Sequence, residues 1–345
     1  MRKSITTAIL IGIIVSGGVW AAGSSEEASA DDGPLQFVAI AKSLDNPAFQ
    51  VAEQGAMDRL AELGDVELEW TAPTGADPAQ MVQMIESYVQ RGVDGLLVDS
   101  LGPSVCGAVD QAVAAGIPVV TWDSDCPDTN RTAYVGSDNY EGGYKSGELY
   151  VEAIGENAGM QRIAILTGQP GAFNLQERDR GFVEALEDLG VEFEIVTTVP
   201  GFDDLSRSVE AVENTLRGNP DINGFFFDGP WPLLVEPSNL PLMIERVEAG
   251  DLTVVSFDTL EQQLRYVEDG YVVGLVGQKY YGWGYQGLTV LYEIVKNGAE
   301  YPELVNTGVD VVTPGGEGDR FTPAEFGQFW EEFSFQEDPI MPGDL

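Results

Sequence analysis

From Leu35 onward, short runs of β-branched and aromatic residues alternate with longer stretches in which apolar positions recur at helical spacing. The runs LQFVAIAK, VELEWTA, DGLLVD, IPVVTW and TAYVG come first, separated by predicted helices at about 47–63, 77–91, 104–115 and 140–154. Asn46-Pro47 and Asp77-Pro78 each set a capping side chain ahead of a proline at the first helical position, which fixes two helix starts. A second series, RIAILT, VEFEIVTT, INGFFF, LTVVSF and YVVGLVG, repeats the scheme with helices at about 175–189, 203–218, 240–249 and 260–268. Repeated strand–helix units need crossovers, so each series predicts a parallel sheet covered on both faces: an α/β chain of two doubly wound lobes. A last helix, at about 281–297, is expected to return to the first lobe. The junction near Ser137 to Gly143 has no Ser/Pro-rich linker, which predicts ordered hinge strands.

Residues 1–23, MRKSITTAILIGIIVSGGVWAAG, have a basic start, an apolar stretch from Ala8 to Val15 and small residues suited to cleavage after Ala21 or Gly23. This pattern reads as a secretory signal and predicts a periplasmic or extracellular protein. The alternative, an uncleaved anchor, is opposed by the shortness of the apolar run and its break at Ser16-Gly17-Gly18. No Cys follows the small residues, so no lipid anchor is expected, and residues 24–34 are predicted to be a flexible acidic leader.

Charge narrows the function classes. The chain has 17 Lys+Arg, 57 Asp+Glu and no His, for a net charge of −40, and removing Arg2 and Lys3 makes the mature chain more acidic still. Nucleic acid is excluded as a partner, because a phosphate backbone is held by clustered cations. Such an excess repels itself in dilute salt and is screened where the Debye length shrinks to about 3 Å near 1 M. A salty or alkaline exterior is the expectation; simple solubility of an exported acidic protein is the plainer reading. The absence of His removes the commonest general base, the usual zinc ligand and the His-containing triads.

Two motifs dissolve on inspection. Asp123, Asp125, Asp128 and Asn130 approach a calcium loop, but the third ligand falls one residue late, Pro127 stiffens the middle and Tyr134 stands where a bidentate Glu belongs. Gly282-Trp283-Gly284-Tyr285-Gln286-Gly287 is a literal GxGxxG that starts several residues after its strand and fills the phosphate approach with rings, which points to helix packing. No metal and no cofactor are expected. Cys106 and Cys126, just beyond two neighbouring strand runs and in an oxidising compartment, are expected to form a structural disulfide.

Ligands of open parallel sheets bind beyond the carboxyl ends of the strands. There the strand ends of the first series lead into Lys42, Asn46, Phe49, Asp99, Asp123, Asp125 and Asn139, and those of the second into Asn174, Arg178, Trp231, Asp258 and Gln278. Carboxylates and amides pair with hydroxyls, and aromatic faces cover the C–H side of a sugar ring, so the mixture suits a neutral polyol. Alternatives stand beside three of these readings. Lys42 either reaches a ligand or pairs with Asp99 or Asp123; Arg178 either reaches a ligand or pairs with Glu177 or Asp179; Trp231 either stacks on a ring or caps the core. Phe225 to Phe227 read as core.

KSLDNPAF at 42–49, GIPVVTWDSD at 116–125, GSDNYEGG at 136–143, GQPGAFNLQERDRGF at 168–182, VVSFD at 254–258 and GQKYYGWGYQG at 277–287, in this order, resemble the ribose-type, type I periplasmic sugar-binding proteins of ABC transporters. The resemblance runs from about Leu35 to Thr313 and implies two Rossmann-like lobes joined by three crossovers. On that pattern the first lobe comprises 35–138 plus 279–307, the second 139–278 plus 308–336, and 337–345 is a tail. Position by position it implies that Asn46, Phe49, Asp123, Asn139, Phe202, Asp258 and Gln278 meet the ligand. Departures at Ala48, at Asp123-Ser124, at Gln176 with Arg178 two residues on, and at Gly229-Pro230 before Trp231 turn the expectation away from ribose itself. Lys42, Asp123, Asp125, Asn174 and Trp231 resemble members that bind other sugars or a furanosyl quorum signal.

The expected protein is thus an exported, monomeric, non-enzymatic binder of a sugar-like ligand, serving an ABC permease, with a chemoreceptor as a further candidate partner. A retaining glycosidase would need two carboxylates about 5 to 5.5 Å apart; Asp123 and Asp258 face one another, yet no pair stands out as acid and nucleophile. A DNA-binding repressor on the same lobes is disfavoured by the export signal, the charge and the lack of an N-terminal helix-turn-helix.

Overall fold

In the computed structural model residues 33–343 are described, apart from 45, 156, 157, 333, 336 and 337; the expected signal segment, most of the expected leader and part of the expected tail lie outside the described residues. The first series forms β1 (Leu35–Ile40), α1 (Pro47–Leu63), β2 (Val66–Thr71), α2 (Pro78–Arg91), β3 (Gly95–Val98), α3 (Pro103–Ala114), β4 (Val119–Trp122) and β5 (Ala133–Gly136). The second forms α4 (Asn139–Ile154), β6 (Gln161–Thr167), α5 (Phe173–Asp188), β7 (Phe193–Pro200), α6 (Leu205–Gly218), β8 (Gly224–Phe227), α7 (Pro241–Glu248), β9 (Thr253–Phe257), α8 (Glu261–Glu268) and β10 (Leu275–Gln278). Then follow α9 (Tyr280–Asn297), β11 (Leu304–Asn306), β12 (Val309–Val312) and α10 (Pro323–Glu332).

The strands make two six-stranded sheets, ordered β11-β5-β4-β3-β1-β2 and β12-β10-β9-β8-β6-β7. All pairings are parallel except β12 on β10, an antiparallel edge strand that the strand–helix alternation does not announce. Two helix starts are fixed as the Asx-Pro pairs require: the Asn46 side chain accepts from the Ala48 N–H at 3.0 Å, and Asp77 from the Ala79 N–H at 2.8 Å. Period-two alternation then sorts each strand's side chains to the two faces. Phe37 and Ala39 meet α1 and α9, whereas Val38 and Ile40 meet α2 and α3. Phe226 meets α4 and α5, while Phe225 and Phe227 fill the opposite core.

The chain passes between the sheets three times: after β5, after β10 and between β11 and β12. Two of these crossings are stitched together where the Ser137 hydroxyl donates to the Gly308 carbonyl at 2.7 Å and the Thr307 N–H to the Gly136 carbonyl at 2.9 Å. The Lys279 ammonium at the remaining crossing meets Asp310 at 2.6 Å. Cys106 and Cys126 are disulfide-bonded, joining the first turn of α3 to the loop after β4. No helix among the described residues is long and apolar enough to cross a membrane.

Helix α9 returns to the first lobe and lies on α1 at backbone contact. A Cβ on Gly284 would stand 1.8 Å from the Ala52 carbonyl oxygen, and one on Gly55 would stand 2.2 Å from that of Tyr281. The GxGxxG spacing therefore serves helix packing. Gly284→Ala must push α1 and α9 apart and is expected to cost about 1–3 kcal/mol in chemical denaturation, with the first-lobe core as the part that loosens.

Candidate functional site

The carboxyl ends of both sheets open onto one cavity of about 470 Å³. Ten of the thirteen expected site residues line it. Lys42, Asn46, Phe49 and Asp123 come from the first lobe, and Asn174, Arg178, Phe202, Trp231, Asp258 and Gln278 from the second.

On the first wall, the Lys42 ammonium sits 2.7 Å from Asp123 and 3.2 Å from Asp99. Lys42 lines the cavity and is ion-paired with both of the carboxylates that the pairing alternative named. Burial opposes its charge, but Asp123 and Asp99 outweigh that and hold it above the ordinary lysine value. Asp99 is wholly buried behind the wall rather than on it, and anchors Lys42 through both the ammonium and the backbone N–H. Burial pushes the Asp99 carboxyl well above its usual range, against the pull of Lys42.

Two further residues sit away from the wall. Asp125 is consumed by its own lobe: it takes Nε and Nη2 of Arg131 at 2.5 and 2.6 Å, the Thr121 hydroxyl at 2.6 Å and the Cys126 N–H at 2.7 Å. Its carboxylate is held by these partners and does not line the cavity. Asn139 lies behind Arg178, donating to the Tyr134 hydroxyl at 3.1 Å and accepting from Arg178 Nε at 2.9 Å. It orients the arginine.

Arg178 is 2 % exposed, which removes the surface-pair alternative; Glu177 pairs with Arg180 instead. Besides Asn139, its Nη1 donates to the Asp228 carbonyl at 2.9 Å and its guanidinium lies 3.9 Å from the centre of the Phe257 ring. Its Nη2 is buried with no protein acceptor, as is Gln278 Oε1 with no protein donor. Asp258 receives Gln278 Nε2 at 3.1 Å and the Tyr280 hydroxyl at 3.0 Å, both on Oδ1. Asn174 bridges the lobes, accepting from the Ser124 hydroxyl at 3.1 Å.

Apolar surface is supplied by Phe49, whose ring centre is 5.8 Å from Trp122 and 6.3 Å from Trp283. Trp231 is half-buried, and its indole lies over two loops that only glycine permits: a Cβ on Gly168 or Gly229 would come within 2.5 or 2.4 Å of it. Phe202 stands exposed at the mouth, with the Arg207 guanidinium 5.4 Å from its ring centre. Among the wall residues that escaped the sequence reading are Trp283, hidden inside a motif that explains packing, and Asp203, which follows Phe202 beyond the carboxyl end of β7.

The backbone marks the same place. Among the described residues, the non-glycine positions with left-handed φ are Ala76, Asp123, Phe202, Asp203 and Asp258, and every one lines the cavity. Each such residue costs on the order of 1–3 kcal/mol unless its surroundings over-determine it, and such strain gathers where side chains must be aimed. Burial raises the carboxyls of Asp203 and Asp258, with Lys42 pulling Asp203 and Arg178 pulling Asp258 the other way. Among the described residues no cluster of three or more His, Cys, Asp or Glu could hold a metal ion.

Two parallel-sheet lobes, three crossings and a polar, aromatic-flanked cavity between strand ends define a hinged solute receptor. The family described as periplasmic binding protein domain matches residues 37–300, and the chain belongs to that family, in its type I form. The chain is 27 % identical to the ribose import binding protein RbsB of Haemophilus influenzae, over 86 % of this chain and 94 % of that one. Among solved structures it resembles GanP, a glucose-galactose binding protein from Geobacillus stearothermophilus, with TM-score 0.75 and 28 % identity over 82 % of this chain and 99 % of that one. It also resembles an ABC transporter solute-binding protein from Burkholderia graminis in complex with D-arabinose, with TM-score 0.72 and 30 % identity over 85 % and 100 % of the two chains.

Behind Arg178 two acids share its field. Burial pushes the Asp179 carboxyl up to about 7, and burial followed by the charge of Asp179 holds Asp228 well above its ordinary value of 3.8. Both bind a proton more tightly folded than unfolded, so their contribution favours folding below the unfolded value and is lost as pH rises through the folded one. Asp228→Asn removes that loss; by differential scanning calorimetry it is expected to raise Tm by about 3 °C at pH 8 and by less than about 1 °C at pH 4.

Proposed function

We propose that this protein is an exported receptor that captures a neutral sugar or sugar-like polyol between its lobes and hands it to an ABC importer. The observation that carries this is the convergence of polar side chains from both lobes on one cavity beside aromatic surface: Arg178 and Gln278, each with a buried polar atom that has no protein partner, and the Asp258 carboxylate, with Phe49, Trp231 and Trp283. In this reading Asn46, Asp123 and Asn174 add hydroxyl partners, and Asp99, Asp125 and Asn139 serve behind the wall. Lys42 is already neutralised by two carboxylates, and Asp203 and Asp258 add negative charge, so a sugar acid or phosphate is disfavoured. Binding without turnover is supported by the relatives, which are solute-binding proteins.

The lobes, taken as 35–138 with 279–307 and 139–278 with 308–336, would swing about the three crossings. A ligand shifts such an equilibrium only through contacts that need both lobes at once. Here Asp123 and Phe49 stand on one side and Asp258, Arg178 and Gln278 on the other. The permease would then select the closed form, with the protein acting as a monomer.

A thermal-shift and calorimetric panel of neutral aldoses, including D-ribose, D-arabinose, D-glucose and D-galactose, tests the reading. A true ligand at a hundred times its Kd should add about 2.7 kcal/mol of stability. Asp258→Asn and Arg178→Lys should each weaken it by about 30-fold or more, since each leaves a buried hydroxyl or acceptor unpaired. Stronger capture of a uronate than of any neutral aldose, or the appearance of sugar products on incubation, would overturn the proposal.

A further inference from the structure

Helix α10 lies beyond residues 37–300 that the family covers, and beyond Thr313 where the sequence resemblance ends. One face of it belongs to the second lobe: Phe326 is buried there, with the Phe321 and Phe329 rings each 5.5 Å away. The next turn carries Trp330, which packs against both that core and the core of the first lobe. Its ring faces Tyr280, the first residue of α9, at 6.1 Å and Phe335 at 5.0 Å, and its indole N–H donates to the Thr259 carbonyl at 3.0 Å.

Thr259 follows Asp258 directly. The Thr259 N–H donates to the Tyr280 hydroxyl at 2.9 Å, and that hydroxyl donates to Asp258 Oδ1 at 3.0 Å. Trp330 thus touches both supports of the Asp258 turn, holding the carbonyl of one and packing on the ring of the other. The turn needs support, because Asp258 has φ 71° with a side chain that the left-handed region disfavours. Beyond α10 the chain docks on the first lobe, where Gln286 of α9 donates to the Asp338 carbonyl at 2.7 Å and accepts from the Ile340 N–H at 2.9 Å. The Trp330 ring is therefore clamped between an anchor in each lobe.

We infer that Trp330 is a positioning residue for ligand capture: through Thr259 and Tyr280 it holds the Asp258 carboxylate at the angle the ligand needs. The inference rests on Asp258 being a ligand contact. It makes the C-terminal helix part of the binding apparatus rather than a cover for the second lobe.

A double-mutant cycle on the full chain tests it, using the neutral aldose with the largest thermal shift in the panel above. Trp330→Ala is expected to weaken affinity about ten-fold in the wild-type background and less than about two-fold in the Asp258→Asn background, because residues acting through one another are not additive. Trp330→Phe keeps an aromatic ring but loses the indole N–H and the five-membered ring that carries it, so its loss should be intermediate, about three-fold. In the ligand-free protein, Trp330→Ala should speed amide exchange of Thr259 and Leu260 by about ten-fold with the β1 amides unchanged. The proposal falls if Trp330→Ala changes neither affinity nor that exchange, or if its loss is equally large in both backgrounds, as a general weakening of the fold would give. Asp258→Asn binding like wild type would sink the ligand role of Asp258 and this inference together. Weakened Asp258→Asn beside unchanged Trp330→Ala sinks the inference alone.

Discussion

A guanidinium taken out of water must have its donors met and its charge balanced, and the meeting of that demand at Arg178 organises the centre of this molecule. Its Nε is spent on Asn139, the first residue after the first crossing, and its Nη1 on the backbone at the end of β8. Phe257, at the end of β9, gives it a ring face. One side chain on α5 thereby ties the hinge to two strand ends. The helix carrying it can come this close only because Gly143 on α4 has no side chain: a Cβ there would stand 2.1 Å from the Arg178 carbonyl oxygen. What remains of the guanidinium, Nη2, is buried without a protein acceptor, on a side chain that lines the cavity.

The same logic governs the opposite wall, where the cation is met by carboxylates rather than by amide and carbonyl oxygens. Lys42 is held by Asp99 from behind and Asp123 from the side, so neither it nor Asp123 is free to swing, and the left-handed backbone at Asp123 fixes the carboxylate further. The Tyr134 hydroxyl, which donates to the Asp123 carbonyl at 2.7 Å and also accepts from Asn139, links this wall to the one built on Arg178. A binding site assembled from fixed charges loses little conformational entropy on capture, which is where affinity for a small, weakly hydrophobic molecule must come from.

Most of the fold and much of this site were legible in the sequence, because strand–helix alternation locates strand ends and open sheets bind beyond them. Capping pairs such as Asn46-Pro47 are local chemistry and leave little room for error. What the sequence could not show was how a polar residue at a strand end is spent. Asp123 and Asp125 look alike in the string WDSD, yet Arg131, six residues on, folds back and takes Asp125, while Asp123 keeps a face on the cavity. Asn139 reads as a ligand amide by position, but the side chain it meets first is Arg178. The antiparallel edge strand β12 and helix α10 follow no strand–helix repeat, so periodicity did not announce them; the resemblance assigned 308–336 to the second lobe without distinguishing either element, and Trp330 was invisible for the same reason.

The acidity of the chain and the chemistry of its cavity are separate matters. Many of the ion pairs on the surface, such as Arg91 with Glu69 and Arg265 with Glu236, involve well-exposed side chains and contribute about 0–1 kcal/mol each. Near molar salt the field of the surface acids decays within about 3 Å. The ion pairs around Lys42 and the hydrogen bonds of Arg178 are buried, and salt reaches them far less. A surface charged this heavily can therefore answer to its medium while the cavity keeps one geometry.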